Sequence, residues 1–226
     1  TIVGDYGDAP EEVHAGYSGY FGEVLADFPS VYDESEERYY IVHRLPRERV
    51  FLGDIAQGDT ATDEIDARVV DWDLDDGVHP AYFLPCIQQV LEVEITVPED
   101  APAGPIYLNA LFDWNHDGHW SGYDQCPPSN NFPDGRAPEW GVQNLRLDLP
   151  PYNLGPGFHG VIKTPPLLSG ESPGELWIRV TVTTEPIDEE QFPPVSEGGP
   201  GWDGRGDFLY GETEDYYTCL LYTSDA

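Results

Sequence analysis

Hydrophobic residues in this sequence recur at every second position, and a helical period is almost absent. The alternation is clear in 90–97, 106–112, 145–149 and 176–182, and weaker in 39–43, 50–52, 158–163 and 213–218. A period of two places apolar side chains on one face of a β-strand. Proline and glycine separate these segments, and no helical pattern connects them. We therefore predict an all-β fold, an antiparallel β-sandwich with long irregular acidic loops, rather than a parallel α/β sheet.

The organisation along the chain favours one domain. The 226 residues suffice for one large β domain, and no polar linker divides them. We predict a single domain over 1–218, which begins with an ordered but irregular N-terminal arm over about 1–38 and has loop-like stretches at 113–141 and 185–207. The last eight residues, 219–226, resemble translated adapter sequence from metagenomic assemblies, and we treat them as a doubtful tail.

The acidic balance excludes two classes of partner. Lys and Arg total 10 against 43 Asp and Glu, which gives a net charge of −33. Such a chain repels nucleic-acid phosphates and anionic membrane surfaces alike. No segment approaches the roughly 18 apolar residues of a membrane helix. Acidity is typical of disorder, but 13% aromatic and 39% hydrophobic residues favour a folded protein.

The cysteines and the start of the chain indicate secretion. The three cysteines show no metal-binding or redox spacing. In a secreted protein we expect a Cys86–Cys126 disulfide, with Cys219 left over or paired between chains. The alternative is three buried thiols in a cytosolic protein. The chain starts at Thr1 without an apolar leader, and we interpret it as a mature extracellular or cell-surface fragment.

The motif with the most chemical content is DWNHDG at 113–118, directly after a predicted strand. Asp113, Asn115 and Asp117 place oxygen ligands at alternate positions, and Gly118 permits a tight turn. This spacing is typical of the start of an EF-hand-type loop, although Asp124 stands where that loop has a glutamate. We predict a calcium (Ca²⁺) site on a β scaffold. The alternative is a solvated Asp/Asn-Gly turn.

Other acidic clusters are candidate ligands for the same kind of ion. Asp75 and Asp76 belong to a run of four carboxylates over 71–76. Near the C-terminus, strand alternation places Glu212 and Glu214 on one face and Asp215 on the other. Carboxylates packed this closely repel one another, so they require a cation or exposure to water. Each cluster alone is more often surface charge than a site.

Several short motifs occur in a recurring order. They include DYGDAP at 5–10, DDGV at 75–78, LNA at 108–110 leading into DWNHDG at 113–118, and GETEDY at 211–216. In this order the sequence resembles the GEVED-type domain of bacterial secreted and cell-surface proteins over nearly the whole chain. The resemblance implies a β-sandwich, an extracellular location and a structural or adhesive role. The chain departs from the family pattern at Thr213, where the family has valine, and in an expanded loop at 121–139.

Catalysis finds little support in the motifs. The sequence has no H-E-x-x-H motif, no G-x-S-x-G elbow and no phosphate-binding loop with a lysine, so we expect no enzyme. A carbohydrate-binding module is the stronger alternative, because several tryptophans fall in predicted loops where an exposed ring could stack on a glycan. For Trp114 and Trp120, shielding of the ion site is the other interpretation, and for Trp177 core packing.

These observations predict a secreted, calcium-stabilised structural protein that builds an extracellular fibre or cell-surface assembly from copies of itself. The apolar segment Thr1, Ile2 and Val3 could add as a strand to the sheet edge of a neighbouring copy. The alternative is an edge strand within its own sheet. At a net charge of −33, assembly requires bound cations or salt.

Overall fold

The computed structural model describes residues 7, 9–18, 21–30, 41–45, 48–53, 77–78 and 82–221. This part of the chain contains no α-helix, and a 3₁₀ helix spans Val195–Glu197. Its strands are β1 Glu11–His14, β2 Leu25–Asp27, β3 Ile41–Leu45, β4 Phe51–Leu52, β5 Tyr82–Phe83, β6 Gln88–Gln89, β7 Glu92–Thr96, β8 Tyr107–Phe112, β9 Tyr123–Gln125, β10 Arg136–Pro138, β11 Trp140–Arg146, β12 His159–Lys163, β13 Leu167–Leu168, β14 Gly174–Thr183 and β15 Gly206–Leu220. The predicted all-β, sandwich-like fold is confirmed.

Two sheets form the body of the molecule. The larger sheet has the order β11-β8-β14-β15-β3, with β5 also paired to β15, and the smaller has the order β12-β7-β4. Three two-stranded pairs, β1-β2, β9-β10 and β6-β13, surround them. No helix in the described part of the chain is both long and apolar enough to cross a membrane.

The central strand β14 shows that the larger sheet is buried on both faces. Leu176, Ile178 and Val180 belong to the hydrophobic core that β7 and β4 of the smaller sheet also line. Because alternate side chains of a strand point to opposite faces, Trp177 and Arg179 lie on the other side, and they too are buried. This second face therefore needs a cover of its own.

The N-terminal arm supplies much of that cover. We use this name for the described residues 9–18 and 21–30. Tyr17 and Phe28 of the arm pack with Trp120, Trp140 and Trp202 in a second hydrophobic cluster. The arm contains the antiparallel pair β1-β2, with an irregular register between Glu11 and His14. To the predicted ordered but irregular arm the structure adds this one short, irregular strand pair.

Other local predictions need correction. The strand predicted at 145–149 instead spans Trp140–Arg146. Its register against β8 shifts twice, and Asn144 has a φ of 43°, which interrupts the alternation on which the prediction relied. The pairing is not wholly antiparallel, because β15 runs parallel to both β3 and β5. The boundary predicted after 218 falls inside β15, which continues through Leu220.

Candidate metal centre

The loop that follows β8 folds around the carboxylate of Asp113. This carboxylate accepts hydrogen bonds from the backbone N–H groups of Asp117 and Gly118, each at 3.0 Å, and from the hydroxyl of Tyr17 at 2.5 Å. Gly118 has a φ of 83°, and a Cβ there would lie 2.5 Å from the carbonyl oxygen of Leu25. Only glycine therefore fits this turn against the arm.

Asn115 and Asp117 complete the turn. Asn115 Oδ1 accepts a hydrogen bond from the backbone N–H of Asp117 at 2.8 Å, and its Nδ2 donates to Asp117 Oδ2 at 2.9 Å. The three predicted ligands of the DWNHDG motif thus lie together in one tight turn.

A further carboxylate, Glu139, enters from the start of β11. The backbone N–H of Phe112 donates to the carbonyl oxygen of Glu139 at 2.9 Å, and this bond places Glu139 beside the end of β8. Its side chain is fully buried, at 0% exposure. Oε1 accepts one long hydrogen bond from Asn115 N–H at 3.4 Å, and Oε2 has no hydrogen-bond donor.

Asp113, Asp117 and Glu139 each place one carboxylate oxygen within 4.8 Å of the other two. Burial, with a smaller contribution from the neighbouring Asp117, raises the pKa of Asp113 to about 7, although the hydrogen bond from Tyr17 opposes this shift. Burial, with repulsion from Asp113 and Asp117, holds the pKa of Glu139 well above its ordinary value. No Lys or Arg among the described residues forms an ion pair with the three. The site therefore suits a bound cation or a proton.

Asp124, the fourth predicted ligand of this loop, does not join the cluster. Its Oδ2 accepts hydrogen bonds from the backbone N–H groups of Glu171 at 2.7 Å and Ser172 at 3.3 Å, and its Oδ1 accepts from Gln125 N–H at 2.8 Å. Asp124 thus holds the turn before β14. Sequence spacing missed Glu139 because only the pairing of β8 with β11 brings it to the loop, and no local pattern carries that signal.

The C-terminal acidic run is satisfied by the protein itself. Glu212 accepts a hydrogen bond from Leu52 N–H at 2.6 Å, and Glu214 accepts one from the hydroxyl of Tyr216. Asp215 lies on the opposite face, as alternation predicted, in a fully buried ion pair with Arg179 at 2.5 Å. The predicted metal role of Asp215 has no support in this geometry. Asp75 and Asp76, and the predicted assembly residues Thr1, Ile2 and Val3, lie outside the described residues.

The predicted disulfide is confirmed. Cys86 and Cys126 are bonded, and Cys219 is a free, half-buried thiol. The bond joins the turn between β5 and β6 to the long loop between β8 and β11. That loop is therefore anchored in its middle by the disulfide, while Asp113 and Glu139 meet at its two ends.

The tryptophans that the structure describes are all interior. They are between 0% and 4% exposed: Trp114, Trp120, Trp140, Trp177 and Trp202. Their rings pack in the two hydrophobic clusters and offer no exposed platform for a sugar. The prediction of core packing is correct for Trp177. None of these five buried rings presents a face on which a glycan could stack, as a carbohydrate-binding module requires.

Comparison of the chain with known protein families, with curated proteins and with solved structures finds no match.

Proposed function

We propose that this protein is a secreted, calcium-stabilised β-sandwich that serves as a structural subunit of an extracellular fibre or other cell-surface assembly. The observation that carries the calcium part is the oxygen Oε2 of Glu139, buried without a donor beside the carboxylates of Asp113 and Asp117. A buried carboxylate without a partner is costly, and a cation among the three removes that cost.

The donor set favours calcium over other metals. Each carboxylate of the cluster, from Asp113, Asp117 and Glu139, offers oxygen, and so does the side-chain amide of the neighbouring Asn115. Calcium takes six to eight such ligands in flexible geometry and completes its shell with backbone carbonyls and water, whereas magnesium demands near-ideal octahedral geometry and zinc prefers nitrogen and sulfur. An irregular turn is better suited to calcium.

The role of the ion would be mechanical. Bound between Asp113 and Glu139, it would close the loop between β8 and β11 at its base, while the Cys86–Cys126 bond holds the middle of the same loop. Two cross-links on one long loop stiffen a domain that has to bear load. A disulfide fits an oxidising compartment, and therefore a secreted protein.

The assembly part rests on charge and on the resemblance to the GEVED-type domain. Copies that carry −33 repel one another until cations neutralise or screen them. In such a protein the same ion would stabilise each subunit and permit contact between subunits. Addition of the Thr1–Val3 segment to a neighbouring sheet edge remains our proposed contact.

Thermal unfolding with calcium and with EGTA tests the metal site. At a calcium concentration 100 times the dissociation constant, linkage predicts about 2.7 kcal/mol of added stability. Asp113→Asn and Glu139→Gln should abolish the calcium-induced rise in Tm. Asp100→Asn, which makes the same change at an exposed turn residue, should keep it. An unchanged wild-type Tm on chelation would remove calcium from the account.

Negative-stain electron microscopy tests the assembly separately. Purified protein should form filaments with calcium and lose them in EGTA, and deletion of residues 1–4 should leave folded monomers. If monomers persist under all these conditions while Tm still responds to calcium, the chain is a calcium-stabilised domain but not a fibre subunit.

A further inference from the structure

The middle of the N-terminal arm rests on the candidate metal loop. Asp27 N–H donates to the carbonyl oxygen of Gly118 at 2.9 Å, and the rings of Phe21 and His116 stack at 4.5 Å between centroids. The hydroxyl of Tyr17 contacts a candidate ligand atom itself, because it donates directly to Oδ2 of Asp113. The arm therefore contacts both the backbone of the turn and one of its candidate ligands.

The ends of the arm are held in a different way. Arg179 donates to the carbonyl oxygen of Pro29 and, at 2.8 Å, to the hydroxyl of Ser30, and Asp215 accepts from Ala9 N–H at 2.8 Å. These bonds belong to the buried ion pair and involve no atom of the metal loop. A change in the metal loop would therefore act on the hairpin between the two ends and not on the ends themselves.

We propose that Tyr17 is a positioning residue of the metal site, and that cation binding controls how firmly the hairpin formed by the described residues 11–18 and 21–27 docks on the sheet. The proposal rests on the proposed function, since it requires that the site binds calcium. An ion holds Asp113, Asp117 and Glu139 close together in the arrangement that the hairpin contacts. Without the ion, the carboxylates either take up protons or repel one another, and the turn loses the geometry that Tyr17 and Asp27 require.

Coupling of this kind acts in both directions. If calcium strengthens docking of the hairpin by some factor, docking strengthens calcium binding by the same factor. A hydrogen bond from outside the ligand set orients a metal-binding carboxylate, and loss of such a bond costs about 10–100-fold in metal affinity. Tyr17→Phe should therefore weaken calcium binding, although the lost hydroxyl is not a ligand.

A second tyrosine provides a matched control. The hydroxyl of Tyr217 donates to the carbonyl oxygen of Gly16 at 2.7 Å, so it holds the same hairpin, but through β15 and not through the metal loop. Tyr217→Phe removes one hydroxyl and one arm contact, as Tyr17→Phe does. Only the contact of Tyr17 involves a candidate ligand.

Hydrogen exchange of the full chain, measured by mass spectrometry with calcium and with EGTA, tests the proposal. In wild type, calcium should slow exchange at least tenfold in residues 11–27, including the amides of Ala15 and Asp27, and should leave the amide of Ala9 unchanged. Tyr17→Phe should lose this calcium-dependent protection and bind calcium 10–100-fold more weakly in a calorimetric titration. Tyr217→Phe should exchange faster in both conditions and retain the calcium effect.

Three results would contradict the inference, and each of them leaves a different part of the account intact. If calcium binds to wild type but exchange over 11–27 does not change, the coupling is absent and the metal site stands. If calcium does not bind to wild type at all, the coupling and the calcium part of the proposed function fail together. Equal effects of the two Tyr→Phe substitutions on calcium affinity would show that Tyr17 acts only through general stability.

Discussion

Asp113 and Asp215 are both buried, and the protein surrounds their two carboxylate charges in opposite ways. Asp215 receives two hydrogen bonds from the guanidinium of Arg179, at 2.7 Å and 2.5 Å. Asp113 receives bonds only from neutral groups, the Tyr17 hydroxyl and two backbone amides. A second buried carboxylate, Glu139, lies beside Asp113 instead of a cation.

The comparison separates structural acidic residues from candidate ligands. The cation of Arg179 is built into the sheet, stacks 4.2 Å from the centroid of the Trp120 ring, and leaves Asp215 with no need of an ion. The charge at Asp113 and Glu139 has no such partner among the described residues and must be met by a proton or by a metal from solution. Both regions carry several acidic residues, so the position of Arg179, the one arginine that is buried among the described residues, makes the difference.

The largest effect should follow from removal of the built-in cation. Arg179→Met leaves Asp215 buried and uncompensated, and we expect a loss of about 3–5 kcal/mol in the free energy of unfolding, measured by urea denaturation. Calcium should not restore it, because the metal loop does not reach Asp215. The double variant with Asp215→Leu should recover much of the loss. Recovery of the single variant by calcium would contradict the separation of the two regions.

The next effect concerns acidity at the metal site. Below pH 7 the raised pKa of about 7 keeps Asp113 protonated, and calcium must displace that proton. Between the ordinary pKa of an aspartate, 3.8, and pH 7, Asp113 is protonated in the metal-free folded state but ionised in the unfolded state. The contribution of Asp113 to the free energy of unfolding of the metal-free protein is therefore lost as the pH rises through this range.

The calcium-induced stabilisation, about 2.7 kcal/mol at 100 times the dissociation constant near pH 8, should accordingly shrink toward zero by pH 5. Differential scanning calorimetry at several pH values, with the same free calcium concentration at each pH and with a metal-free control, measures this stabilisation. A calcium effect independent of pH would mean that Asp113 is not among the ligands.

Two substitutions that each replace a carboxylate by a neutral amide sharpen the comparison in metal-free protein. In EGTA, Asp215→Asn removes the charge that Arg179 needs and should lower the free energy of unfolding by about 1.5–3 kcal/mol. Glu139→Gln removes a charge that has no partner and should leave stability unchanged or raise it. Opposite signs in the same buffer are the expected result, measured by urea denaturation. A similar loss in both variants would show that Glu139 has a partner within the chain.

The smallest effect involves His43, another buried ionisable group, which needs no counter-charge because it stays neutral. Burial lowers its pKa from 6.5 to about 3, and its ring nitrogens contact Thr213 Oγ1 at 2.8 Å and the carbonyl oxygen of Tyr210 at 3.3 Å. Below pH 6.5, His43 binds a proton in the unfolded chain but not in the folded protein. The free energy of unfolding therefore falls by about 1.4 kcal/mol for each unit by which the pH is lowered.

His43→Gln should remove this part of the acid sensitivity between pH 6.5 and pH 5 in EGTA, while His14→Gln, at an exposed position, should not. Equilibrium unfolding as a function of pH tests the pair. Identical profiles for both variants would mean that protonation of His43 does not limit stability in this range.

The sequence predicted the features that depend on local periodicity. Alternation located β8, β12 and β14 and the division of Glu212, Glu214 and Asp215 between two faces of β15. The DWNHDG spacing brought Asp113, Asn115 and Asp117 together, because a turn of six residues carries its own geometry.

Contacts between segments that are distant in the sequence could not be predicted from local patterns. Glu139 joins the site through the contact of β8 with β11, and Asp215 leaves the list of supported ligands because register places it opposite Arg179. The bulged strand β11 and the parallel neighbours of β15 likewise depend on contacts that no local pattern encodes. For the same reason, the sequence left open whether the loop tryptophans are exposed or buried, and the rings that the structure describes are buried.

The most direct test of the account is an anomalous difference map from crystals grown with calcium. The account predicts one peak about 2.3–2.6 Å from carboxylate oxygens of Asp113, Asp117 and Glu139. It also predicts no peak beside Asp215, which Arg179 already neutralises. Full occupancy of calcium elsewhere, with Glu139 Oε2 still without a partner, would contradict the central claim that this loop takes its missing cation from solution.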